Sequence, residues 1–202
     1  MTKPSYVLAT HNQDKIKEIR HIMQHVPVEL LPISSFPNTT EAVEDGDTLL
    51  ANAIIKAELA FRETGLPSIA DDSGLEVDFL DGAPGVYSSR FAGENVTYQD
   101  NNEKLLKLMA GVPEAKRTAR FRCVVALVDG KSDPVWTDGV CEGHILEHLQ
   151  GSKGFGYDPL FYVTDLNKTF AEADAAEKNA ISHRGQAFRN MAAILEKKLK
   201  KD

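Results

Sequence analysis

Short apolar runs alternate along the chain with stretches in which apolar residues recur every three or four positions, which predicts interleaved strands and helices. Tyr6-Val7-Leu8-Ala9 reads as a buried strand, closed at once by the polar turn Thr10-His11-Asn12. Ile16, Ile19, Ile22 and Met23 then mark one face of a helix. A second strand is expected within residues 27–33, followed by a turn-rich segment over 32–40 and a strongly acidic loop over 41–47. Thr48 is placed to cap a long helix carrying Leu50, Ala53, Ile54, Ala57, Ala60 and Phe61, which ends near Gly65-Leu66-Pro67.

Ser68-Ile69-Ala70 predicts a short strand that stops at Asp71-Asp72-Ser73-Gly74, with a separate strand over 75–80. Residues 81–90 loop through Asp81-Gly82 and Pro84-Gly85, and 97–109 read as a helix with Leu105, Leu106 and Met109 on one side. Residues 119–128 and 135–145 predict two long strands joined as a hairpin near Asp129-Gly130. A glycine-rich loop over 151–159 leads into a strand at 160–163. Helices are expected over 170–179 and from Ser182 through Met191, Ile194 and Leu195. Strands and helices mix throughout, so the class is α/β with a mixed sheet.

Composition narrows the function. At 202 residues the chain fits one large domain, or two lobes sharing a core. Its formal net charge of −7 argues against a nucleic-acid partner, because that affinity comes from Lys and Arg neutralising phosphates. A small polyphosphate remains open, provided cations gather locally. No run approaches the roughly 20 apolar residues of a membrane helix. Cys123 and Cys141 lack CxxC spacing and read as core or strand residues of a reduced, cytoplasmic protein.

Four polar clusters carry chemistry. In the first, Thr10 and Asn12 can hydrogen-bond phosphate oxygens beside a helix N-terminus, with Lys15 adding a charge; an ordinary N-cap with an exposed lysine is the plainer reading. The second is Asp71-Asp72-Ser73-Gly74, where a carboxylate can hold a hard cation or take a proton from water, or simply close an Asx turn. Glu44 in the acidic loop could add a second carboxylate. In the third, glycines 154 and 156 flank Phe155, leaving its ring free to stack on a planar base or to join the core with Tyr157. The fourth combines Lys178 with Ser182-His183-Arg184. Lysine and arginine only donate, so they would favour the acceptor edge of a 6-oxopurine over the amino group of adenine. The pairs His21/His25 and His144/His148 lack the partners of a zinc site and read as ordinary histidines.

The stretches VLATHNQDKIKEI, SIADDSGLEVDFLDGAPGVYSSRFAG, KGFGYDPLFYV and AEKNAISHRGQA follow one another between residues 7 and 187. In them the chain resembles the inosine triphosphate pyrophosphatase family. That resemblance implies an elongated mixed β-sheet with flanking helices and two lobes around a central nucleotide cleft, residues 1–202 forming a single domain that assembles as a homodimer. It implies hydrolysis of ITP, dITP, XTP and dXTP to the monophosphate and pyrophosphate with Mg2+, removing deaminated purines from the nucleotide pool. By position, Thr10, His11, Asn12, Gln13, Asp14 and Lys15 would bind the triphosphate. Asp72 would be general base and metal ligand, Glu44 the other ligand, and Ser73 a substrate contact. Phe155, Gly156, Tyr157, Asp158, Lys178, His183 and Arg184 would hold base and sugar. Where family members often carry Glu-Asn-Ala, this chain has Ala51-Asn52-Ala53, so one carboxylate near the metal is missing. The alternatives are a septum-formation-inhibitor-like pyrophosphatase with other substrates and a non-catalytic nucleotide-binding module.

Overall fold

The structure, a computed structural model, describes residues 3–200. Its strands are β1 (Ser5–Leu8), β2 (Glu29–Pro32), β3 (Ser68–Val77), β4 (Thr118–Val128), β5 (Val135–Ile145), β6 (Phe161–Val163) and β7 (Lys168–Thr169). Its helices are α1 (Gln13–Ile22), α2 (Leu49–Thr64), α3 (Tyr98–Leu108), α4 (Ala175–Ile181) and α5 (His183–Leu199). The strands form a seven-stranded sheet in the order β2-β1-β3-β4-β5-β6-β7. β1 runs parallel to β2 and β3, while β6 runs antiparallel to β5 and β7, so the sheet is mixed as expected.

Local chemistry sets the helix ends. Asn12 caps α1 by accepting the N–H groups of Asp14 and Lys15, and Thr48 caps α2 through Ala51 N. α2 stops at Gly65, whose φ of 69° lies in the left-handed region. α3 and α4 each begin with a reciprocal box, Thr97 with Asp100 and Asp174 with Glu177.

The chain packs as two compact units. One takes the described residues of Met1–Asp72, Cys123–Gly139 and Arg184–Asp202. Its core joins Leu8, Ile19, Met23, Ile69, Val125 and Phe188. The other takes Ser73–Arg122 and Val140–His183, with Leu75, Leu105, Met109, Phe121, Phe161 and Phe170 at its centre. The unit boundaries fall inside β3, β4 and β5. Cys123 and Cys141 are buried free thiols on β4 and β5.

Two expectations need correction. Asp71-Asp72-Ser73-Gly74 does not end a strand: β3 runs through it without interruption. The aspartates meet cations and so can stay in an extended, buried strand. Gly74 lies against the Gly85 carbonyl, where any Cβ would collide, and Leu75 N donates to Ser88 Oγ. The helix expected from residue 170 begins only at Ala175. Phe170 is buried in the second core, and a two-residue strand, β7, precedes it. The box between Asp174 and Glu177 fixes the later start.

Candidate active site

In the first unit, charged side chains gather around Asp71 and Asp72. Successive residues of an extended strand point to opposite faces, and the two carboxylates accordingly meet different partners. Asp71 Oδ2 lies 3.0 Å from Lys15 Nζ and accepts from Arg184 Nε and Nη2 at 3.3 and 3.2 Å. Arg184 also holds Glu18, Nη1 to Oε2, at 2.8 Å. Burial alone would push the Asp71 carboxyl up, but Lys15, Arg184 and Lys56 hold it well below the usual carboxylate range. The Arg184 guanidinium is held firmly charged: burial opposes the charge, and Asp71 and Glu18 outweigh it. Cys123 Sγ stands 3.9 Å from Asp71 Oδ2.

Asp72 faces α2. Lys56 Nζ donates to its Oδ1 at 2.8 Å and pairs with Glu44 Oε2 at 3.1 Å, while Asn52 Nδ2 reaches its Oδ2 at 3.4 Å. Asn52 and Lys56 are four residues apart and so share a helix face. Burial raises the Asp72 carboxyl above its ordinary value; Lys56 and Lys15 oppose the rise and Glu44 adds to it. The Lys56 ammonium loses solvation but gains more from Asp72, Glu44 and Asp71, and its proton is held more tightly than usual.

The expected phosphate segment divides. Lys15 joins the buried cluster. Asn12 is the N-cap, with Oδ1 accepting from Asp14 N at 2.9 Å and from Lys15 N at 3.2 Å, and Thr10 Oγ1 accepts the Asn12 N–H. His11 and Gln13 are exposed, Gln13 donating to the His11 carbonyl, and Asp14 pairs with Lys17 at 3.6 Å. Ser73 follows Asp72 on β3 and is partly buried.

In the second unit, Gly154 and Gly156, at φ 71° and 63°, fold the loop so that Asp158 Oδ2 accepts the Phe155 N–H at 2.8 Å. Lys178 pairs with the same carboxylate oxygen and sits 4.8 Å from the centre of the Phe155 ring. The Phe155 ring is partly exposed and lies 5.9 Å from Tyr98. A surface cavity of about 270 Å³ is lined by Tyr98, Asn102, Lys153 and Phe155 among others. Tyr157 takes the core alternative: its ring is buried, and its hydroxyl donates to the Ser88 carbonyl at 2.9 Å. Asn102 Nδ2 holds the Gly156 carbonyl at 2.9 Å. His183 stacks on Phe121 with ring centres 4.7 Å apart.

Lys56 falls outside the motifs, and Asn52 and Glu18 lie within them without an assigned role. Each sits on a helix read for its apolar face, and the side chains they hold, Asp72 and Arg184, lie 16 to 166 residues away. The available signal was spacing: Glu18 stands one turn beyond Lys15, and Lys56 one turn beyond Asn52.

The donor set for a metal can be weighed directly. Among the described residues, no three His, Cys, Asp or Glu side chains gather to enclose a cation. Glu44 and Asp72 offer two carboxylates around one lysine. Such a pair fits a hard divalent ion that completes its shell with phosphate oxygens and water.

The Ham1 family model matches residues 6–194. A dITP/XTP pyrophosphatase from Desulforamulus reducens is 51% identical over 191 residues, covering 95% of each chain. One from Vibrio parahaemolyticus is 52% identical over 191 residues, covering 94% of this chain and 95% of its own. Among solved structures, a HAM1 protein from Coxiella burnetii has a TM-score of 0.88 at 41% identity, covering 96% of this chain and 99% of its own. A nucleoside-triphosphatase / dITP/XTP pyrophosphatase from Mycobacterium abscessus reaches a TM-score of 0.75 at 36% identity, covering 94% and 97%. With nearly the whole sequence matched and the same fold in relatives of such identity, the chain belongs to the Ham1 family.

Proposed function

We propose that this protein hydrolyses non-standard purine nucleoside triphosphates (ITP, dITP, XTP and dXTP) to the nucleoside monophosphate and pyrophosphate. The observation that carries the reading is Asp72, a buried carboxylate with raised proton affinity, held by Lys56 and Asn52 beside a second carboxylate, Glu44. Its relatives' activity as dITP/XTP pyrophosphatases supports the substrate class.

In this mechanism a water attacks the α-phosphorus and the α–β anhydride P–O bond breaks. Asp72 accepts one proton of that water at Oδ2, the oxygen with the longer, weaker contact to Asn52. Its raised proton affinity makes it a stronger base than an exposed aspartate. Lys56, fixed on Oδ1, keeps the carboxylate from turning and places a cation where phosphate charge develops. Lys15 has three donors, of which Asp71 needs one, so it can also meet the leaving pyrophosphate. Arg184 and Glu18 act by holding Asp71, and with it Lys15. The positive end of the α1 dipole favours the same anion. Glu44 and Asp72 would hold Mg2+, which when bound supplies Lewis-acid neutralisation of phosphate oxygens.

Phe155 stacks on the base, while Asp158, Lys178 and His183 select base and sugar. The donors of Lys178 suit the O6/N7 edge of a 6-oxopurine. The setting we propose is a cytoplasmic homodimer in which residues 1–202 work as one domain.

The test is pyrophosphate release from ITP, dITP, XTP, ATP, GTP and UTP with Mg2+. Turnover of the first three should far exceed that of ATP and GTP, for ATP by about 100-fold or more, since an unpaired donor in a polar site is strongly rejected. EDTA should abolish release. Equal use of all six, a pyrimidine preference, or orthophosphate as the first product would refute the reading.

A further inference from the structure

Asn52 is wholly buried on α2, and its amide joins two elements. Oδ1 accepts the backbone N–H of Gly46 at 2.8 Å, and Nδ2 donates to Asp72 Oδ2 at 3.4 Å. The Gly46 contact requires an acceptor, which fixes the orientation of the amide. One turn later Lys56 spans the same two elements through charge, with Glu44 on the loop and Asp72 on β3. The loop lies tight against the first turn of α2: a Cβ at Gly46 would come within 2.7 Å of Asn52 Oδ1 and 2.8 Å of Ala51 Cβ. The far end of the loop is tied to the same helix, where Thr40 N and Oγ1 donate to Glu63 at 2.9 and 2.6 Å.

We infer that Asn52 is a positioning residue, which sets the backbone of the loop bearing Glu44 in fixed register with Asp72. The lysine cannot do this alone. Its ammonium is a compact charge on a flexible stem and tolerates many placements of two carboxylates. The asparagine amide has one acceptor and two donors in one plane, and both ends here meet groups of defined direction, a backbone N–H and a carboxylate. Lys56 therefore supplies attraction between the loop and β3, and Asn52 supplies their alignment. The kinetic side of this inference rests on the proposed function; the structural side stands independently.

Hydrogen exchange of the Gly46 amide, together with kcat and KM on ITP, tests it in Asn52→Ala and Asn52→Asp. Aspartate keeps an acceptor for Gly46 but loses the donor to Asp72; alanine loses both. Gly46 exchange should accelerate about fivefold or more in Asn52→Ala, the loss of one hydrogen bond, and stay near wild type in Asn52→Asp. Amides of the first core, such as Phe188, should keep their protection in both. In both variants kcat should fall about 10- to 100-fold with KM changed less than about threefold, as a displaced catalytic group produces. Gly46→Ala, which lifts the loop while leaving Asn52 intact, should lower kcat in the same way.

Unchanged Gly46 exchange in Asn52→Ala overturns the inference. So does protection lost uniformly with a lower Tm, which marks a merely structural residue, or wild-type kcat in Asn52→Asp. If wild-type protein releases no pyrophosphate from any triphosphate, the proposed function fails, while the exchange measurement still decides the alignment. If Asn52→Ala does not fold, Asn52→Asp decides: lost kcat with Gly46 protection kept supports the inference.

Discussion

Asp71 and Asp72 are adjacent on one strand, yet their surroundings drive their proton affinities apart. Two close cations overcome the desolvation of Asp71, while Asp72, with one lysine shared with Glu44, remains above its ordinary value. Asp71 is thus suited to anchoring charge and Asp72 to accepting a proton. Replacing Asp72 with Asn removes the base without removing the shape. Lys56 keeps Glu44, so Asp72→Asn should fold normally by circular dichroism while kcat for ITP drops about 100-fold or more. Turnover within a few-fold of wild type would remove Asp72 from its role. Asp71 makes a separate, pH-dependent prediction. Its folded value is depressed below the ordinary 3.8, so its contribution to stability is complete above that pH and is lost as pH falls toward the folded value. The Tm gap between wild type and Asp71→Asn should therefore be constant near neutrality and shrink below about pH 4. A gap that persists unchanged at pH 2 would contradict the ion-pair account. From local residue types alone the pair reads equally well as an Asx turn, and only the family resemblance singles out Asp72; the physical distinction arises from partners on α1, α2 and α5.

Elements with an uninterrupted apolar rhythm were legible before the structure: β1, α1, α2, the β4–β5 hairpin and α5 all fall close to where the pattern puts them. β3 was not, because a reading of local polarity sees four breakers in Asp71-Asp72-Ser73-Gly74. Only tertiary ion pairs and the close approach of Gly85 make that stretch a strand interior. Likewise Phe170 fits a helical pattern, and its burial against Phe121 and Phe161 is what claims it for the core. The Gly154–Asp158 loop shows the opposite relation, since its glycines announce a special backbone. Gly154 has φ 71°, and a Cβ there would run into the Asp158 carboxylate. Gly154→Ala should push that carboxylate away from Phe155 N and Lys178. Losing this anchor frees the Phe155 ring, so KM for ITP should rise about tenfold, the cost of one lost anchoring contact of this size, with kcat little changed. An unaltered KM would mean that the loop does not position the base.

At the scale of the whole molecule, the net charge of −7 says little about chemistry, because the cations that matter are paired inside: Lys15, Lys56 and Arg184 in one unit and Lys178 in the other. Folding is where the whole chain acts together. The two hydrophobic cores have no residue in common, yet β3 and β4 each contribute side chains to both: Ile69 and Leu75 from β3, Val125 and Phe121 from β4. A strand cannot lose its ladder over one half without fraying the other, so the two cores should melt in one transition. Phe188→Ala empties a fully buried position in the first core, and Phe161→Ala does so in the second. Each should cost about 3–5 kcal/mol. At about 2–4 °C per kcal/mol for a chain of this size, each should move the single calorimetric peak down by roughly 10 °C. Two peaks, with each substitution shifting only one, would show that the units fold independently and that residues 1–202 are two domains rather than one.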